Sequence, residues 1–402
     1  MSDIARSLQA GLPGLPEGSD SPAPEPIDSR SQAALPDFDL HMLALAKVRG
    51  VGTQALRALI DAFAHPAVVW EAEPALITKV LHEARVPAAS QIVNTINVER
   101  RPLLENAARA RDWLGREGVI LVSRQQPEFP KRLLSIDGQP LWLFIQGDPS
   151  ALNTVPLVAI IGTRQASGVG KQTAQQLTRL VAEAGLGVVS GLAEGIDEAA
   201  HMTAARLGIR QVAVLGTGID VLFPAATADL RHTIVARGGA IITEYLPSER
   251  WGKVNFIQRN RIQAALAAAV CPVEARAQSG TAHTVRFAKK YGRPLFLAWR
   301  GDLMATNEQT CTLVGSDTLR FDLTLPAGRA KLRSFLDTEI VGERDEPPLP
   351  PEPKLLFRSI LKEVDALRQT WDLSPEQRQE LQRLVADHLD HDSGGGENSD
   401  GR

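Results

Sequence analysis

From Leu157 onward, apolar runs of four or five residues alternate with amphipathic stretches, the pattern of strands covered on both faces by helices. The runs predict strands over 157–161, 187–190, 211–215, 240–243, 270–274 and 295–299. The stretches between them predict helices over 169–184, 194–208, 227–237, 257–268 and 281–291. The fold class that follows is α/β with a mostly parallel sheet.

Before that alternation the period is helical. Leu43, Leu45, Val48, Leu56, Leu59 and Ile60 recur around Arg49-Gly50-Val51-Gly52, where glycine permits a sharp turn between two short helices. Such a turn either offers backbone amides to a phosphate or packs one helix on another. Further helices over 74–84, 88–95 and 101–115 complete a small helical domain, residues 37–116. Residues 117–155 bridge to the alternating region, with strands at 119–122 and 141–145 separated by Pro127, Pro130 and Pro140. After Trp299 the periodicity weakens, and one helix with an irregular return is expected over 301–338, closing a domain that spans 117–338.

The flanks read differently. Residues 1–36 have too few large apolar groups to offset the entropy of ordering them, so they are expected to be a disordered leader. A stiff proline-rich linker occupies 339–354, and a short helical region 355–391 follows, its second helix opened by Ser374-Pro375. A glycine-containing tail, 392–402, is expected to be disordered.

Charge adds to this picture. The net charge of the 402 residues is only -3, yet residues 158–300 hold 17 Lys and Arg against nine Asp and Glu, and residues 341–402 hold eight against 14. A basic central domain with an acidic tail suits a polyanionic partner. Two cysteines exclude a disulfide scaffold, and Cys271, inside an apolar run, reads as a buried thiol. The eight histidines show no recognised metal spacing, so neither a metal nor a cofactor is expected. No basic region leads into an apolar stretch at the start, and no window approaches the roughly 18 apolar residues of a membrane helix. A cytoplasmic protein without membrane contact is the expectation.

In open α/β sheets ligands bind beyond the carboxyl ends of the strands. Gly162, Thr163, Arg164 and Ser167 follow the first strand of the alternating region and lead into a helix whose amino end would face an anion. Gly168-Val169-Gly170-Lys171 is not a triphosphate loop, because Gln165 stands where its first glycine belongs, and Gly216-Thr217-Gly218 lacks the third glycine of a dinucleotide fingerprint. Asp197 and His201, four apart on one helix face, suit either an acid-base pair or a pair tying down the helix start, and the second is expected. Arg259 and Arg261 flank Asn260 as two guanidiniums would straddle a phosphate; alternatively one pairs with Glu244 or Glu274, and one of each is expected. Glu274, before Ser279-Gly280-Thr281, has no second positioned carboxylate to complete a catalytic set.

Over roughly residues 38–315 these motifs, in this order, resemble the DprA/Smf family of DNA-processing proteins. The resemblance rests on Ile161-Gly162-Thr163-Arg164 with Ser167, Ser190-Gly191-Leu192-Ala193 with Gly195-Ile196-Asp197, Val214 to Asp220, Ile242 to Tyr245, Phe256 with Arg259-Asn260-Arg261, and Glu274 with Ser279-Gly280-Thr281. It implies an extended Rossmann-like sheet preceded by a small helical domain of the helix-hairpin-helix or SAM-like type. It also implies a homodimer that binds and protects single-stranded DNA without sequence preference and loads RecA or engages another partner protein. By motif position Arg164, Ser167, Lys171, Arg259 and Arg261 would line the phosphate pocket, with Asn260, Ser279 and Thr281 in the same motifs and Gly162, Gly191 and Gly280 shaping it. Glu194 departs from the family, which usually carries arginine there.

Two other readings have their own features. In a nucleotide phosphoribohydrolase Glu274 would be catalytic beside the Gly280-Thr281 turn. A small-nucleotide sensor in a defence system would couple to partners through residues 355–390.

Overall fold

The computed structural model describes residues 38–341 except 64, 251, 277 and 302. The expected leader, C-terminal helical region and tail lie outside these residues. So does the expected linker beyond Val341.

Among the described residues five helices come first: α1 (Phe38–Ala46), α2 (Thr53–Phe63), α3 (Pro66–Glu71), α4 (Pro74–Glu83) and α5 (Ala89–Arg116). At the turn between α1 and α2, Gly50 has φ +90°, and a Cβ there would lie 3.1 Å from Ala88 Cβ and 3.4 Å from Ile92 Cγ1. The turn therefore packs closely on the start of α5, the second of its two expected uses. α5 runs unbroken for 28 residues through Pro102, where two separate helices were expected. Its buried stripe of Ile92, Ile96, Leu103, Ala107 and Leu114 continues across the proline. The carbonyl that Pro102 displaces belongs to Val98, which is 72% exposed, so water can satisfy it.

The second half follows the order β1 (Val119–Ser123), α6 (Lys131–Leu134), β2 (Trp142–Gly147), β3 (Leu157–Gly162), α7 (Gly168–Glu183), β4 (Gly187–Ser190), α8 (Ile196–Leu207), β5 (Gln211–Val214), α9 (Ala228–Ala236), β6 (Ala240–Thr243), α10 (Lys253–Leu266), β7 (Ala267–Glu274), α11 (Gly280–Lys290) and β8 (Phe296–Trp299). All six strands of the predicted alternation are present. Beyond β8 come α12 (Leu303–Val314), β9 (Leu319–Asp322), α13 (Pro326–Phe335) and a π-helical turn, Leu336–Ile340. That is one strand and one helix more than expected, because β9 is a four-residue strand with only Phe321 buried and gives little apolar signal. Ile340 is fully buried, so packed chain reaches past 338.

The main sheet has the order β1-β2-β6-β5-β4-β3-β7. β1 and β2 add antiparallel to β6, and the other neighbours are parallel. A bridge from Val270 to Leu295 leads on to the parallel pair β8 and β9. Burial is nearly continuous along β3 to β7, as both-face coverage requires. One apolar core joins α1–α5 to one sheet face, including Phe144, Ala213 and Ile241; a second joins α7 and α8 to β9 and α13; a third lies under α10. From β3 the chain builds β4, β5 and β6 to one side, then returns to place β7 on the other. The carboxyl ends of β3 and β7, paired at Gly162 and Glu274, thus flank the point where strand order reverses, the usual place for a ligand crevice.

Candidate nucleic-acid interface

Beyond that reversal lies a cleft of about 1010 Å³, lined by the loop after β3, by α10 and by the segment from Arg276 into α11. Gly162 forms part of its wall, at a point where a Cβ would fall 2.4 Å from Ile196 Cγ1. Next in the chain, exposed Arg164 sets its guanidinium 5.3 Å from the centroid of the Phe256 ring.

Arg259 approaches the same ring, at 5.7 Å, but from inside the protein. It is 5% exposed and donates from Nη1 to the carbonyl of Gly191 at 2.9 Å and to that of Val214. Burial draws its guanidinium down to about 10, while the neighbouring Asp197 carboxylate opposes the shift. Asp197 is itself buried, which raises its pKa, and its Oδ2 accepts from the Gly191 N–H at 3.1 Å. Among the described residues Asp197 Oδ1 and Arg259 Nε have no hydrogen-bond partner, and both residues line the cleft.

Arg261 turns the other way. Its Nη1 and Nη2 meet Glu244 Oε1 and Oε2 at 2.7 and 2.5 Å, and its Nε donates to the Gly138 carbonyl at 3.0 Å. This is the structural role anticipated for one of the two arginines, and Arg261 is outside the cleft lining. Between them Asn260 does line the cleft and donates from Nδ2 to the Gly280 carbonyl at 3.0 Å, tying α10 to the start of α11.

The expectation for α7 needs revision. Ser167 caps it, its Oγ accepting from Gly170 N–H at 2.9 Å, and Glu274 Oε2 accepts from the Ser167 N–H and Oγ at 3.0 and 3.1 Å. The chain's own carboxylate thus occupies the amino end predicted to face an anion. Ser167, Lys171, Gly191 and Glu274 all lie outside the lining of this cleft; Lys171 is exposed, and Gly191 sits behind Arg259. Glu274, the catalytic residue of the alternative reading, is thus hydrogen-bonded to Ser167. α11 contrasts with α7: Ser279 gives no side-chain cap, its Oγ donating instead to the Arg276 carbonyl at 2.6 Å. Ser279, Gly280 and Thr281 line the cleft, so the free helix end belongs to α11.

Sequence reasoning missed three cations. Lys253, Arg276 and Arg286 are exposed and line the cleft. Arg276 was findable, since it stands two residues after β7 at a strand's carboxyl end. Arg286 Nη2 donates to His283 Nδ1 at 2.8 Å, and partial burial, with Arg286 and Lys253 nearby, lowers the His283 pKa. The lining thus carries Arg164, Lys253, Arg259, Arg276 and Arg286 against one carboxylate, Asp197.

Asp197 ties the turn through Gly191, as expected of the helix-start reading, whereas His201 contacts Gln211 at 2.9 Å and burial draws it down to about 4. Cys271 is fully buried and its thiol is pushed up to about 12. Among the described residues no cluster of three or more His, Cys, Asp or Glu could hold a metal, and no helix is long and apolar enough to cross a membrane.

Known proteins share this framework. The profile of a family described as DNA recombination-mediator protein A matches residues 120–318. The chain is 30% identical to protein Smf of Synechocystis sp. over 259 residues, 64% of this chain and 63% of that protein. It is 38% identical to DNA processing protein DprA of Streptococcus pneumoniae over 168 residues, 42% of this chain and 58% of that protein. The match thus spans less than two thirds of either curated relative. The X-ray structure of DprA from Streptococcus pneumoniae superposes with a TM-score of 0.58 at 27% identity, covering 71% of this chain and 94% of that one. With a family profile over its sheet domain, curated relatives at 30–38% identity and a solved fold that superposes, the chain belongs to the DprA/Smf family of DNA-processing proteins.

Proposed function

We propose that the cleft binds single-stranded DNA through its phosphates, without reading base sequence, in DNA processing, recombination or uptake in the cytoplasm. The observation that carries this is the charge of the lining: five cations, four of them exposed, around a single buried carboxylate. Guanidiniums and an uncapped helix end hold phosphate oxygens and leave bases unread. Phe256 offers little for base stacking, because Arg164 and Arg259 already approach its ring, so phosphate contacts dominate. Binding rather than turnover fits Glu274, whose carboxylate is held by Ser167. A homodimer and a recombinase or other partner protein belong to the same proposal.

The test is a titration with single-stranded DNA, double-stranded DNA and matched RNA at several salt concentrations, on the full chain and on Arg164→Ala/Lys253→Ala. Each lost phosphate contact should make the logarithmic salt slope shallower by about 0.7 for a single strand. A double variant that binds oligodeoxythymidine with unchanged slope and affinity would overturn the assignment.

A further inference from the structure

We infer that the chain has a second phosphate-binding site, on the face of α7 away from its capped end, built by Arg179, Arg300, Arg329 and Arg333. These arginines line a cavity of about 600 Å³ between α7, the end of β8 and α13, with Gln176 and Glu183 among the other lining residues. Among the described residues only Arg333 of the four has carboxylate partners, Asp337 at 2.9 Å and Glu183 at 3.5 Å. Arg329 Nη1 donates to the carbonyls of Leu323 and Thr324 at 2.8 and 3.0 Å, and Arg300 Nη1 donates to Gln176 Oε1. Exposed Arg179 makes no hydrogen bond or ion pair among the described residues.

A purely structural account would have these side chains tie α13 to α7. Neutral acceptors suffice to hold Arg300 and Arg329 in place, but they leave each positive charge uncompensated. Four arginines face one carboxylate, Glu183, in the lining, so the cavity keeps an excess of positive charge that an entering anion would neutralise. Arginine presents a planar fork that matches phosphate oxygens, and no aromatic residue lines the cavity to stack a base. The ligand is therefore recognised by phosphate groups alone. Two sources share that chemistry: the backbone of a strand leaving the first cleft along α7, past exposed Lys171, or a free polyphosphate. Arg329 and Arg333 lie beyond the family match, which ends at residue 318, so half of the arginines come from chain that the match does not reach.

The test compares the full chain with Arg179→Gln/Arg300→Gln, and with Arg179→Gln alone, which removes no internal contact. Probes are inorganic tripolyphosphate and two oligodeoxythymidylates, one short enough to fill the cleft alone and one several times longer. If a strand uses the site, the double variant lowers the salt slope for the long oligomer by about 1.4 and leaves the short one unchanged. That arm rests on the reading of the first cleft, whose own failure appears separately as no loss of short-oligomer binding in Arg164→Ala. If a free polyphosphate uses the site, tripolyphosphate raises the Tm of the wild type and of Arg164→Ala, and does so less in Arg179→Gln and the double variant. Unchanged slopes together with an unchanged tripolyphosphate response in both glutamine variants would overturn the inference.

Discussion

Arg261 and Glu244 form a two-point ion pair with side chains 9% and 14% exposed, beside the cleft rather than in it. Removing one partner strands the other charge in a poorly hydrated place. Glu244→Ala should therefore cost about 3–5 kcal/mol of stability. Urea unfolding measures this, and the folded fraction should bind DNA as the wild type does; weaker binding at unchanged stability would make Arg261 a ligand group instead.

Arg164 and Arg259 share the Phe256 ring but should respond differently to truncation. Arg164 is exposed, so Arg164→Ala should leave Tm nearly unchanged and weaken DNA binding. Arg259→Ala leaves the buried carbonyls of Gly191 and Val214 without their donor and the buried Asp197 without its neighbouring cation, at a cost of about 1–3 kcal/mol. Paired melting and binding curves separate the two, and equal effects on both readouts would contradict the division.

His201 makes stability fall with acid. Burial draws its imidazole from 6.5 down to about 4, so between those values the unfolded chain takes up a proton that the folded chain refuses. The unfolding free energy should drop by about 3 kcal/mol as pH falls through that window. Asp197 acts in the opposite sense: burial raises its pKa, so above 3.8 the folded chain keeps a proton that the unfolded chain releases, and its contribution weakens as pH rises. His201→Gln removes only the first effect. Unfolding curves from pH 4 to 6.5 should show a shallower acid slope in the variant, and parallel slopes would count against a neutral buried imidazole.

Two glycines of the cleft should tolerate alanine unequally. At Gly162 a methyl group would meet Ile196 Cγ1 at 2.4 Å and the Glu274 carbonyl at 2.9 Å, and overpacking of that kind costs about 1–3 kcal/mol. At Gly280 it meets nothing within 4 Å. Thermal melts should show a clear loss for Gly162→Ala and none for Gly280→Ala.

The parallel strands were legible because each is an uninterrupted apolar run between turn signals. α5 was not, because Pro102 has the residue type of a helix end while the buried stripe around it carries on. α10 was expected from 257 and starts at Lys253, which hid that lysine's place at the cleft. The fates of Arg259 and Arg261 were within reach of sequence: at about 100° per residue, positions two apart point to nearly opposite sides of a helix. What no spacing revealed is that Glu274 would occupy the amino end of α7, since that contact joins residues 107 positions apart.

The inward arginines of α10 brace the cleft, Arg259 in its lining and Arg261 beside it. Arg259 is fastened to two backbone carbonyls, and Arg261 to a carbonyl and the Glu244 carboxylate, so the wall behind the cleft keeps its shape whatever lies in it. Lys253, Arg276 and Arg286 stand on long, solvated stems at the rim, able to follow a chain whose torsions vary from one nucleotide to the next. On the proposed reading, indifference to base identity would need no special device: a stiff bed with pliant edges would grip any strand whose charges repeat at regular intervals.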